Sequence, residues 1–87
     1  MESKSCDWFV YILECRDGSY YTGVSNDVEK RMIAHEKGIG SKYVKKKGFK
    51  KLLFAKKCLD KSDACKKEYL IKQLSKYEKL RWFLNSP

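Results

Sequence analysis

Residues Trp8 to Val24, WFVYILECRDGSYYTGV, decide the fold. Two runs of β-branched and aromatic residues, WFVYILEC at 8–15 and SYYTGV at 19–24, flank Arg16-Asp17-Gly18, and this pattern predicts a β-hairpin. The length of the connection sets which side chains share a face. A two-residue loop, Asp17-Gly18, would turn Tyr11 and Tyr21 to opposite faces of the sheet, whereas the three-residue loop Arg16-Asp17-Gly18 sets Tyr21 opposite Leu13 and puts both tyrosines on one face. Gly18 favours the second case, because three-residue hairpins end in a residue at positive φ, which glycine adopts cheaply. A bulge beside the turn would reach the same orientation.

Beyond the hairpin, Asn26 is the expected N-cap of a helix, with Glu29 completing a capping box, and Gly38 stops the helix after about Lys37. Val28 and Met32 form its apolar stripe. Arg31 and His35, spaced i and i+4, lie along the edge of that stripe and face the sheet margin rather than open solvent. The segment GIGSKYVKKKG at 38–48 reads as a basic loop with a helical turn over 41–46. Its lysines 42, 45, 46 and 47 surround Tyr43, a composition that follows a phosphate backbone while the ring stacks on a base; packing of Tyr43 under the loop is the equal alternative.

A third strand, FKKLLFAKKC at 49–58, carries lysine pairs that guard an edge. Asp60 and Ser62 are both suitable caps for a helix over 63–74, whose apolar stripe is Ala64, Ile71 and Leu74. Glu68 falls within that stripe. A carboxylate on the core side of a helix is costly unless paired or bound to a cation, and an ordinary i to i+4 ion pair with Lys72 is the plain reading. A last helix, SKYEKLRWFL at 75–84, sets Tyr77, Leu80, Arg81 and Leu84 against Trp82 and Phe83 for the inward face; Trp82 and Phe83, if exposed, would form a docking surface. Asn85-Ser86-Pro87 is expected to fray.

Composition bounds the class. Eighty-seven residues make a single domain, 1–87 with a core of about 8–84, and a chain this short buries only about 60 to 65% of its unfolded surface. Twenty Lys and Arg against 11 acidic residues give a net charge of +9, so polyanions are the natural partners. Nucleic acid is favoured over a membrane surface, since the basic residues are interleaved with Tyr, Gly and polar loops. The longest uncharged apolar run, Trp8 to Leu13, is far below the roughly 20 residues that span a bilayer. The first seven residues lack the apolar core of a signal peptide, and Cys6, Cys15, Cys58 and Cys65 show no CxxC spacing beside the single histidine. The expectation is a cytoplasmic protein with reduced thiols and no structural zinc.

Tyr11, Tyr21, Arg31, His35 and Glu68 together fit metal-assisted phosphodiester hydrolysis. That chemistry needs a hard cation on oxygen ligands, a proton acceptor for water and a cation over the phosphate. Glu68 can supply the first, a tyrosine or His35 the second, and Arg31 the third.

The order and spacing of VYI at 10–12, YTG at 21–23, Arg31 and His35, and Glu68 before IKQLSK resemble the GIY-YIG nuclease superfamily. The similarity is nearest to its small single-domain members and runs from about residue 8 to 83. The resemblance implies an α+β fold, a small three-stranded antiparallel sheet flanked by helices in the order β-β-α-β-α-α. It implies a metal-dependent endonuclease acting on branched, nicked or duplex DNA, structure-specific and serving repair or recombination. A nucleic-acid-binding module of the same fold with little cleavage is the alternative. Tyr11 and Tyr21 match the motif tyrosines, Arg31 the catalytic arginine, and Glu68 the ligand of one divalent metal ion, Mg²⁺ or Mn²⁺. His35 stands where branched-DNA nucleases carry histidine. Phe9 replaces the glycine that opens the first motif, and Val24 replaces a phosphate-binding lysine, a contact left to Lys30 or Lys42. Lys45, Lys46 and Lys47 with Tyr43 complete the expected nucleic-acid surface, and no protein partner is indicated.

Overall fold

A computed structural model describes residues 7–85 of the chain. Three antiparallel strands, β1 (Trp8–Cys15), β2 (Tyr20–Ser25) and β3 (Phe49–Cys58), form one sheet in the order β2-β1-β3. Four helices complete the α+β fold: α1 (Val28–Glu36) and the short α2 (Lys42–Lys47) between β2 and β3, then α3 (Lys61–Lys72) and α4 (Lys76–Asn85). The expected order holds, with the turn in the basic segment realised as α2.

The hairpin takes the three-residue connection. Cys15 N–H donates to Ser19 O at 2.8 Å and Gly18 N–H to Cys15 O at 3.0 Å, with Gly18 at φ +88°. Leu13 therefore lies opposite Tyr21 and Tyr11 opposite Gly23. Side chains alternate across a strand, so β1 serves two layers. Val10 and Ile12 point to one face, where Ala64 and Ile71 of α3 and Phe83 of α4 bury them. Tyr11, Leu13 and Cys15 point to the other, packed on Val44 of α2 with Met32, Tyr21 and Phe49 around them.

The helix starts differ from expectation. The N-cap of α1 is Asp27, not Asn26: its side chain accepts from Lys30 N at 3.1 Å. Strand β2 runs through Ser25, whose Oγ accepts from Asp27 N at 2.9 Å, and this turn delays the helix by one residue and leaves Glu29 unable to complete a box. Asp60 rather than Ser62 caps α3, accepting from Asp63 N at 2.8 Å, so that helix begins two residues before expectation. Ser75 and Glu78 form a reciprocal capping box at 3.2 and 3.0 Å ahead of α4.

On α4 the competition for the inward face goes to Phe83, with Trp82 half-buried beside it and the two rings edge-to-face at 4.9 Å. Trp82 and Phe83 are thus core residues and not a docking surface. Tyr77, 78% exposed, and Leu84 face solvent instead. Asn85 closes α4 rather than fraying, while Ser86 and Pro87, like Cys6 and the segment before Asp7, lie outside the described residues. Cys15, Cys58 and Cys65 are free thiols. No helix among the described residues is long and apolar enough to cross a membrane. Replacing Phe83 by Ala should lower the unfolding free energy by about 3–4 kcal/mol, while Tyr77→Ala should move it by less than about 0.5 kcal/mol, measured by urea denaturation.

Candidate active site

The face of the sheet that carries Tyr11 and Tyr21 has a histidine at its centre. His35, in the last turn of α1, is 2% exposed, and its Nε2 lies 2.8 Å from the hydroxyl of Tyr11, also buried. The rings of Tyr11, Tyr21 and His35 form a closed triangle, with centroids 6.4, 6.0 and 5.7 Å apart and the histidine edge-on to both tyrosines. Phe49 stacks on the histidine at 6.3 Å from β3, and Tyr43 of α2 stacks on Tyr21 at 5.7 Å.

Two glycines make room for these rings. A Cβ at Gly23 would stand 2.6 Å from the Tyr11 hydroxyl and 3.1 Å from the Tyr21 ring; one at Gly40 would stand 2.6 Å from His35 Nδ1. Gly23 belongs to the YTG signal; Gly40, in GIG, has no counterpart among the residues that the sequence pattern marks. Phe49 likewise carries no sequence signal beyond that of a strand residue.

The expected edge pair on α1 splits. His35 is buried, as a sheet-facing residue should be, but Arg31 is exposed rather than turned away from solvent, its Nη1 3.5 Å from the carbonyl of Gly40. Val28 and Met32 on the same side of the helix are half-buried. Glu68 is partly buried on α3, with 23% of its side chain exposed, and pairs with Lys72 at 3.3 Å in an i to i+4 bridge.

Charge links the scattered groups. Burial pushes the Tyr11 phenol well above its ordinary range, and Tyr21 and Glu68 push the same way while Arg31 opposes them. Burial, helped by Arg31, holds His35 below the ordinary histidine value. At neutral pH both partners are uncharged, joined by a hydrogen bond. Tyr11 thus feels the charges of Arg31 from α1 and of Glu68 from α3, the helix that packs its core stripe on the other face of the sheet.

The basic segment flanks it. Ser41 caps α2, accepting from Tyr43 N and Val44 N, and Lys42, Lys45 and Lys46 project from α2 into solvent. Lys47 is bound instead to Asp17 in the hairpin turn at 3.2 Å, and lies 5.8 Å from the Tyr43 ring. Tyr43 is 41% exposed while stacking on Tyr21, so it packs and still offers a face. Lys30 stands on the exposed first turn of α1. Among the described residues no group of three or more His, Cys, Asp or Glu is placed to hold a metal. Glu68 is the carboxylate whose charge bears on Tyr11. A single carboxylate suits a hard cation that keeps waters and shares substrate phosphate oxygens.

Comparison with known proteins identifies the family. Residues 7–81 match the model of the GIY-YIG catalytic domain. The chain belongs to the GIY-YIG family. A UPF0213 protein of Oceanobacillus iheyensis is 49% identical over 73 residues, covering 84% of this chain and 85% of that one. A UPF0213 protein of Staphylococcus saprophyticus is 44% identical over 73 residues, 84% of this chain and 89% of the relative. The solution NMR structure of a UPF0213 protein from Bacillus halodurans superposes with a TM-score of 0.56 at 38% identity, over 92% of this chain and 85% of that chain. Membership of the GIY-YIG family carries endonuclease chemistry on DNA, generally with a divalent metal.

The His35 environment is measurable. Its NMR titration should fall below the ordinary value of about 6.5. Above that pH the ring is neutral in both folded and unfolded chains; as pH drops through about 6.5 the unfolded chain takes up a proton that the fold resists, so stability declines on acidification. Denaturation midpoints at two pH values on either side should differ in wild type and converge in His35→Gln.

Proposed function

We propose that this GIY-YIG protein is a metal-dependent endonuclease that hydrolyses DNA phosphodiester bonds through Tyr11, Tyr21, Arg31, His35 and Glu68, with Mg²⁺ or Mn²⁺ as cofactor. The observation that carries the reading is the buried hydrogen bond between Tyr11 and His35, two neutral groups set beside Tyr21 in a family of nucleases. A phenol held this far above its ordinary range does not rest as phenolate. It can accept a proton from water only as it gives up its own, and His35 Nε2 lies at 2.8 Å to receive it. In this relay the attacking water loses a proton to the Tyr11 oxygen as the Tyr11 proton moves to His35, and no free phenolate accumulates. Tyr21, edge-on to His35 and stacked on Tyr43, holds the water and the scissile phosphate in line. Arg31, exposed and held by a long contact to Gly40 O, is free to swing over the phosphate oxygens. Glu68 would hold the divalent ion, exchanging its bridge to Lys72 for it. That ion, when bound, stabilises charge on the phosphate and on the leaving 3′-oxygen.

Lys42, Lys45 and Lys46, with Lys30 across the site and Lys47 more weakly, carry the strand, and the free face of Tyr43 stacks on an unpaired base. An unpaired base is most available at a branch, nick or single-stranded end. The reading is therefore a cytoplasmic, single-domain, structure-specific nuclease of repair or recombination. A DNA-binding module with little cleavage is the second reading, favoured by the Glu68–Lys72 bridge, which competes for the carboxylate the metal needs.

On branched and nicked duplexes with Mg²⁺, Tyr11→Phe, His35→Gln and Glu68→Ala should each slow cleavage by about 10² to 10⁴-fold, and chelation should abolish it. Cleavage that survives these substitutions would refute the site, and binding without cleavage in every metal would establish the module. Affinity should fall steeply with salt, and Lys42→Gln with Lys46→Gln should flatten the log–log slope by about two units, whereas Lys47→Gln, already paired with Asp17, should flatten it by less than about one.

A further inference from the structure

A cleft of about 210 Å³ opens on another side of His35, between the hairpin turn and α2. Its cationic lining is Arg16, Lys45 and Lys50, against one carboxylate, Glu36. Arg16 and Lys45 have no carboxylate partner among the described residues, and Lys50 reaches Glu14 only at 3.8 Å. Glycines seat the two unpaired stems. A Cβ at Gly48 would stand 2.8 Å from Arg16 Cδ, and one at Gly38 3.5 Å from Lys45 Cγ, and both glycines hold positive φ. His35 forms part of the wall, and the nitrogen that Tyr11 does not use, Nδ1, is buried with no hydrogen-bond partner.

We propose that this cleft binds a phosphate group of the DNA strand, one outside the scissile position, and that, as the wall of the cleft gives, a phosphate oxygen reaches the buried Nδ1 of His35 and accepts a hydrogen bond from it. Tautomer chemistry gives the ligand its consequence. Nε2 can receive the Tyr11 proton only when the ring proton sits on Nδ1, which leaves a buried N–H without an acceptor. In the opposite tautomer Nε2–H donates to the Tyr11 oxygen and the relay is closed. A phosphate in the cleft supplies the missing acceptor and selects the first tautomer, so His35 is a positioning group whose state depends on how the strand lies. A strand that fills only the scissile position leaves the relay unset. The strand-borne source rests on the nuclease reading; the anion site itself does not.

The test is a titration of the metal-free, DNA-free protein with inorganic phosphate, read from the imidazole nitrogen shifts of His35. Saturable binding on the order of millimolar is expected, with Nδ1 moving to the protonated and Nε2 to the unprotonated form. Arg16→Gln with Lys45→Gln should weaken it about tenfold, while the charge-matched Lys66→Gln with Lys79→Gln, on α3 and α4, should not. Non-saturating shifts, an unmoved His35, or equal weakening by both double variants would overturn the site and leave the nuclease reading untouched. A duplex binding series with single methylphosphonates then identifies the source. One non-scissile position should weaken wild type and leave Arg16→Gln with Lys45→Gln unaffected; a flat series would overturn the strand-borne assignment in favour of free phosphate. Loss of cleavage in Glu68→Ala bears on neither result.

Discussion

A polar pair in the middle of an apolar layer needs partners there, and the bond between Tyr11 and His35 satisfies the phenol and one of the two ring nitrogens. It joins the central strand to the last turn of α1 and so fixes the rotation of that helix. Arg31, one turn before His35 on the same side of the helix, is nonetheless exposed and reaches the carbonyl of Gly40. Val28 and Met32 beside it are half-buried. The tight approach is possible only because Gly23 and Gly40 offer bare backbone where any side chain would displace a ring.

Electrostatics around this bond are graded rather than strong. Arg31 and Glu68 act on Tyr11 in opposite directions, and burial outweighs both, so the resting site is neutral although the chain carries a net charge of +9. Much of the lysine surface is committed elsewhere. Lys47 is held by Asp17, Lys67 by Asp63 at 2.7 Å, Lys72 by Glu68, and Lys76 donates to Gly18 O at 2.7 Å while lying 4.7 Å over the Tyr20 ring.

The hairpin was legible because a single glycine decided it: Gly18 at positive φ selects the three-residue connection, and period-two alternation then carries Tyr21 to the face of Tyr11. Glu68 stood out because its partners on the wheel, Ala64 and Ile71, are core residues, and both are fully buried. Helix starts were harder, since Asn26 and Asp27 are equally good caps by side chain, and only the serine hydroxyl at the end of β2 separates them. The inward turn of His35 followed from helical spacing, but its hydrogen bond was beyond the pattern, because its partner Tyr11 is 24 residues away in sequence. On α4 the periodicity supported two faces, and stacking of Phe83 on Phe54 at 5.8 Å, a tertiary contact, settled which one turned inward.

Alternation along β1 has one more consequence. Even-numbered positions, Val10 and Ile12, belong to a framework shared with α3 and α4, and odd-numbered positions, Tyr11, Leu13 and Cys15, belong to the layer that holds the tyrosines and the histidine. One strand therefore serves two separately adjustable inventories. Aliphatic exchange on the even side can raise or lower the melting point while the ring geometry stays in place. An insertion of one residue within β1 would exchange the two inventories at a stroke, which makes this strand the part of the chain least able to change its length.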